Sequence, residues 1–116
     1  MEACVSFFYH QHAGRCILYN YHPSLALEKV RDELENIKYF FGEEAKVIIS
    51  SEGYVDELVQ QCDSLPYDGY VLKSDGCEVL NEAVERLRVG KLYLSKNVLK
   101  AYFKSRSREY DHQLHC

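Results

Sequence analysis

Histidine and cysteine are the residues of this chain best suited to chemistry, and they gather towards its two ends. His10 and His12, with His22, Cys4 and Cys16 near them in sequence, bring imidazoles and thiols together. A His-x-His pair on a strand puts both rings on one face, which a zinc or copper site could use. His112, His115 and Cys116 repeat the theme at the C-terminus. Neither group has a CxxC pair or the fixed ligand spacing of a structural zinc site, so no metal ligand is assigned. No cysteine stands at a recognisable nucleophile turn. Gly14, Gly42, Gly53, Gly69, Gly76 and Gly90 are isolated, so there is no glycine-rich loop to cradle phosphates. Lys96, Lys100, Lys104, Arg106 and Arg108 interleave with Tyr93, Tyr102 and Tyr110, a pattern able to meet nucleic acid. The same pattern is the ordinary solvated face of an amphipathic helix, and that reading is preferred.

The bulk composition narrows the class. A chain of 116 residues supports one domain around one core. The formal charge of −4 gives no electrostatic reason for a nucleic-acid partner. Ten Tyr and five Phe stand with no Trp, and tyrosines suit half-buried positions where the ring packs and the hydroxyl finds a partner. The odd set of five cysteines has no paired spacing, which points to a reduced protein with packing thiols. The N-terminus does not read as a secretory signal, and no stretch approaches the ~20 apolar residues of a membrane helix. A cytoplasmic protein with no membrane partner is expected.

The elements that must position any site follow from periodicity. Cys4 to Tyr9 and Arg15 to Tyr19 are short β-forming runs, either a hairpin or two separate strands. Pro23 and Ser24 signal a helix whose apolar positions are Leu27, Val30, Leu34, Ile37 and Phe41, closed by Gly42. Lys46 to Ser50 is a β-branched run without alternation, as a strand covered on both faces requires. A second helix is predicted from Val55 to Cys62, stopped by Pro66, and a strand over Gly69 to Leu72. Asp75 with Glu78 suggests a capping box for a third helix carrying Val79, Leu80, Ala83, Val84 and Leu87. Ser95 can cap a last helix with Val98, Leu99, Tyr102 and Phe103 on its apolar side. A polar, frayed tail is expected from Lys104. Alternating strands and helices predict an α/β domain over 1–105, with residues 106–116 as the tail.

The stretch KVIISSEGYVDELVQQCDSLPYDGYVLKSDGCEVLNEAVERLRVGKLYLS resembles the second half of a response-regulator receiver domain of the LuxR/NarL type, most closely over residues 46–95. Ser51 follows the strand where that family keeps its Ser/Thr switch residue. Asp68-Gly69-Tyr70-Val71-Leu72-Lys73 matches the family's D-G-Y-(V/L)-L-K, with Tyr70 at its aromatic switch and Lys73 at its phosphate-contacting lysine. Gly90-Lys91-Leu92-Tyr93-Leu94-Ser95 matches its Gly-x-x-Tyr-Leu-Ser linker. The resemblance implies a flavodoxin-like fold and, in a working member, transfer of a phosphoryl group to an aspartate beside a bound divalent metal.

Two departures remove that chemistry. Asn20 falls at the phosphoacceptor position, and an amide is not a carboxylate nucleophile. The residues before Cys16 are too few for the family's first strands and helix, so its metal-binding acidic pair has no counterpart. Ser51, Tyr70 and Lys73 then stand as relics of the switch.

The reading is a truncated or degenerate receiver: a small, mostly parallel sheet flanked by helices. It is not an enzyme, needs no cofactor, and acts by self-association or by binding a protein partner. The missing half would leave an unpaired sheet edge, to be covered by the CVSFFY run or by a second copy. The resemblance points to the third helix and its neighbouring strand edge as the contact face: Tyr70, Lys73, Glu78, Glu82, Glu85 and Arg86. The first alternative is a receiver fragment still able to accept a phosphoryl group through Ser51, Lys73 and an acid such as Asp68. The second is a metal- or redox-responsive protein using the His and Cys set.

Overall fold

Val47, Ile48 and Ile49 form the middle of a five-stranded sheet and are inaccessible from both sides. The computed structural model describes residues 5–10, 14–90 and 92–115, with the side chains of 16–90 and 92–107. Its elements are β1 (Val5–His10), β2 (Gly14–Asn20), α1 (Leu27–Phe41), β3 (Lys46–Ser51), α2 (Asp56–Gln60), β4 (Gly69–Leu72), a 3₁₀ turn (Lys73–Asp75), α3 (Gly76–Val89), β5 (Tyr93–Leu94) and α4 (Lys96–His115). The strands lie side by side in chain order. β2 to β5 are mutually parallel, and β1 runs antiparallel to β2, in register from Val5↔Tyr19 to His10↔Gly14. This is an α/β fold with a small, mostly parallel sheet flanked by helices, in a receiver-like, flavodoxin-like arrangement. Of the two readings of the N-terminal runs, the antiparallel pair is the one adopted, and it covers the edge of β2.

The two faces of the sheet bury different sets, because side chains alternate along each strand. Ile17, Tyr19, Val47, Ile49 and Tyr70 face a core built with Val30, Leu34 and Ile37 of α1, Leu58 and Val59 of α2, and Val98 of α4. Cys16, Ile48 and Val71 face Ala83, Val84 and Leu87 of α3. The strands advance in one direction while α1 and α2 cross one face and α3 the other. The β4–α3–β5 crossover therefore has the opposite hand to the two before it, against a strong general preference for one hand. The pairing that closes it is short, Gly69↔Tyr93 and Tyr70↔Leu94.

Local signals were met by different residues from those expected at three helix ends. α1 begins at Leu27 without a side-chain cap, and Ser24 instead lies 2.9 Å from His22 Nδ1. The Asp75 carboxylate does not cap α3: it accepts from the Leu72 N–H at 2.8 Å and from Asn97 Nδ2 at 2.7 Å, while Glu78 is exposed. Ser95 does cap α4, accepting from the Val98 N–H at 3.2 Å. α4 runs on to His115, where a frayed polar tail was expected. The segment holds no Pro or Gly to stop a helix, and a polar composition is compatible with a helix facing water. Arg106 ties it to α2 through Asp56 at 2.9 Å and lies over the Tyr102 ring at 5.3 Å. Of its expected apolar side, Val98 is buried and Tyr102 half-buried, whereas Leu99 (37% exposed) and Phe103 (61%) face solvent.

Candidate functional site: a cavity at the C-terminal ends of the parallel strands

Three adjacent parallel strands end at one place, and their last residues line a cavity of about 260 Å³. β2 supplies Leu18 and Asn20, β3 Ser50, and β4 with the following turn Val71, Leu72 and Lys73. The first turns of α3 close it with Gly76, Cys77 and Leu80. The backbone register explains the meeting: Asn20 pairs with Ser50, and Ser50 with Val71. The region beyond the carboxyl ends of parallel strands is where open α/β sheets hold ligands, since the strands stop and the helix N-termini converge there.

Ser50, rather than Ser51, is the hydroxyl that shares this cavity with Asn20 and Lys73. The reason is the two-residue period: Ser50 follows Ile48 onto the α3 face, and Ser51 follows Ile49 onto the opposite one. Ser50 is 5% exposed, and among the described residues its hydroxyl has no hydrogen-bond partner. Lys73 is 42% exposed, with the Glu52 carboxylate 3.8 Å from its Nζ.

Ser51 instead belongs to a buried hydrogen-bonded chain with Tyr70. The Val55 N–H donates to Tyr70 Oη at 2.9 Å, Tyr70 Oη and Ser51 Oγ are 2.7 Å apart, and Ser51 Oγ donates to the Gly53 carbonyl at 2.7 Å. With Ser51 donating to Gly53, the Tyr70 hydroxyl donates to Ser51, so each proton has one acceptor. Tyr70 is fully buried, its ring stacked 6.5 Å from that of Tyr54. It is therefore no part of an exposed contact face, a correction to the surface expected for it. Lys73 is half-exposed, and Glu78, Glu82, Glu85 and Arg86 are exposed on α3. Glu82 and Arg86 pair at 3.4 Å, as do Glu85 and Arg88.

Asp68, the acid considered for phosphoryl chemistry, enters β4 at its N-terminal side, away from the cavity. It is held by Lys38 Nζ at 2.8 Å and by the Val47 N–H at 2.9 Å, and Lys38 also donates to the Ala45 carbonyl at 2.7 Å. Of the histidines and cysteines, Cys16 is a buried free thiol, Cys62 half-buried and Cys77 exposed. Among the described residues no three His, Cys, Asp or Glu side chains come together as metal ligands. The side chains of Cys4, His10, His12, His112, His115 and Cys116 lie outside the described residues. No described helix is long and apolar enough to cross a membrane.

Burial pushes the phenols of Tyr67 and Tyr70 above their ordinary value near 10; for Tyr70 the hydrogen bonds with Ser51 and Val55 pull part of the way back. Burial also raises the Cys16 thiol. Each group holds its proton more tightly folded than unfolded, so stability is full below the unfolded pKa and falls as pH rises. Thermal melts should be flat up to about pH 9, decline above it as an unfolded Cys16 would ionise, and steepen past about pH 10. The Tyr70→Phe variant should show a shallower decline; an equal slope would mean Tyr70 does not contribute.

No protein-family model, no curated protein and no solved structure matches this chain.

Proposed function

We propose that this protein is a receiver-like signalling module that acts by binding, with a state that is not set by phosphorylation. One observation carries the reading: Asn20, Ser50 and Lys73 surround a single cavity at the ends of three adjacent parallel strands. A receiver sets its acceptor, hydroxyl and lysine in that order, with Ser50 here in place of the Ser51 that the resemblance implied, and an amide where the acceptor must be a carboxylate nucleophile. The buried Tyr70 supports the same reading. Its hydroxyl accepts from the Val55 N–H and meets Ser51, so the side chain at the position that switches in receivers is bonded inward by its own fold. The contact surface for a protein partner is the outer face of α3, with Glu78, Glu82, Glu85 and Arg86.

Incubation with magnesium and acetyl phosphate, followed by intact-mass measurement, tests the first half. An unchanged mass is expected; a gain of one phosphoryl group on an aspartate or glutamate would restore the phosphorylation-competent reading. The second half is tested by recovery from native extract with the wild type and with a Glu82→Lys, Glu85→Lys double variant. Proteins retained by the wild type and lost by the variant support the α3 face. The same proteins recovered by both, or none by either, would remove it.

A further inference from the structure

We infer that the cavity between β2, β3, β4 and α3 is a binding site for a short-chain aliphatic carboxylate. Its walls are apolar on one side, where Leu18, Val71 and Leu80 meet, and polar at the strand ends, where Asn20, Ser50 and Lys73 meet. A ligand that satisfies both must carry a hydrocarbon body and a polar head. At about 260 Å³ the space lies just under the usual range of small-molecule pockets, so the body is a short chain rather than a fused ring system.

Two independent features make the head anionic and oxygen-bearing. Ser50 is 95% buried as a residue, the complement of its 5% exposure, and its hydroxyl, with no partner among the described residues, lines the cavity as a donor. A hydroxyl that faces the cavity with no protein acceptor can donate to a carboxylate oxygen placed there. The second feature is the start of α3, a 14-residue helix without a side-chain cap, whose Gly76 and Cys77 line the cavity. Its Asp75 carboxylate is committed to the Leu72 N–H and Asn97 and caps no N–H of the first turn, which leaves the positive end of the helix dipole beside the Lys73 ammonium. Glu52, itself largely exposed, is displaced at little cost from its 3.8 Å contact with Lys73. A carboxylate suits this donor set better than a phosphate dianion, because with Glu52 displaced Asp75 still offsets the Lys73 charge. The inference rests on cavity shape and donors alone and stands or falls separately from the receiver-like reading.

The test is a titration of the isotope-labelled full chain with sodium hexanoate, followed by amide NMR, alongside hexanol and inorganic phosphate as separate probes. Hexanoate should give saturable shifts at Asn20, Ser50, Lys73, Gly76 and Cys77, with weaker or no effect from the other two probes. Lys73→Met, a half-exposed substitution that leaves the core untouched, should weaken hexanoate about tenfold and leave any hexanol effect unchanged. Leu80→Phe should fill the cavity and abolish binding; its own spectrum reports whether it folds, and Lys73→Met decides the matter if it does not. Phosphate binding as tightly as hexanoate would show an anion site only. Hexanol binding equally would show an apolar hole only. Either of these, or the absence of saturable shifts at those five residues, overturns the inference.

Discussion

Replacing Tyr70 by Ala is expected to destabilise the protein by about 3–5 kcal/mol, and by Phe about 1–3 kcal/mol, measured by urea or thermal unfolding. The two substitutions separate two jobs of one side chain. The ring fills the core between β4, α2 and α4 with no exposure, and removing it leaves a cavity that neighbouring side chains only partly close. The hydroxyl accepts from the Val55 N–H at the entrance to α2 and meets Ser51 at the end of β3. In the Phe variant the Val55 N–H loses its acceptor, while Ser51 keeps the Gly53 carbonyl. The loss should therefore appear first as faster amide exchange over 52–58, before global unfolding. A Phe variant as stable as the wild type, with unchanged exchange there, would show that the hydroxyl chain is incidental.

Removing the Asp68 carboxylate is the second large effect. Asp68→Ala should cost about 3–5 kcal/mol, because it takes the shared acceptor from two largely buried donors at once and leaves Lys38 with the Ala45 carbonyl alone. The Lys38 and Asp68 side chains are only 13% and 15% exposed, so water replaces the lost partner poorly. The Val47 N–H, at the start of the central strand, loses its acceptor in the same change. Lys38→Met should cost less, since the carboxylate keeps the Val47 N–H, and the double variant should recover part of the loss. The exposed Glu82–Arg86 pair makes the control: breaking it should cost no more than about 0.5 kcal/mol. If Asp68→Ala costs no more than that control, the pair is a surface contact in effect, despite its burial.

Much of the architecture was legible residue by residue. The unbroken β-branched run Lys46 to Ser50 could only be a strand covered on both faces, and it is the centre of the sheet. The spacing of Val30, Leu34 and Ile37 selected the buried stripe of α1, and that of Ala83, Val84 and Leu87 selected that of α3. In each case the signal is local, because side-chain direction is set by the backbone period alone. Helix ends were less legible. Several side chains compete for each terminal N–H, and Asp75 was drawn to Leu72 and Asn97 by the turn that precedes α3.

The candidate site was half legible. Asn20 ends β2 and Lys73 directly follows β4, and their presence there follows from where the strands stop. The choice between Ser50 and Ser51 did not follow from adjacency to a strand end, although the alternation from Ile48 to Ser50 carried it. Cys77 and Leu80 had no signal towards the cavity, because helix periodicity does not say which sheet face a helix will cover.

What the chain determined by itself was its sequence of strands and helices, the apolar stripe of each, and the absence of an acid at Asn20. These depend on residue type and on periods of a few residues. Only the tertiary structure decided that β1 turns back to cover β2, that α3 crosses the face opposite α1 and α2, and that Ser50, Asn20 and Lys73 surround one cavity. Those outcomes depend on pairing between segments far apart in the chain. Such pairing is selected by the burial and hydrogen bonding of the whole assembly, which no single segment encodes.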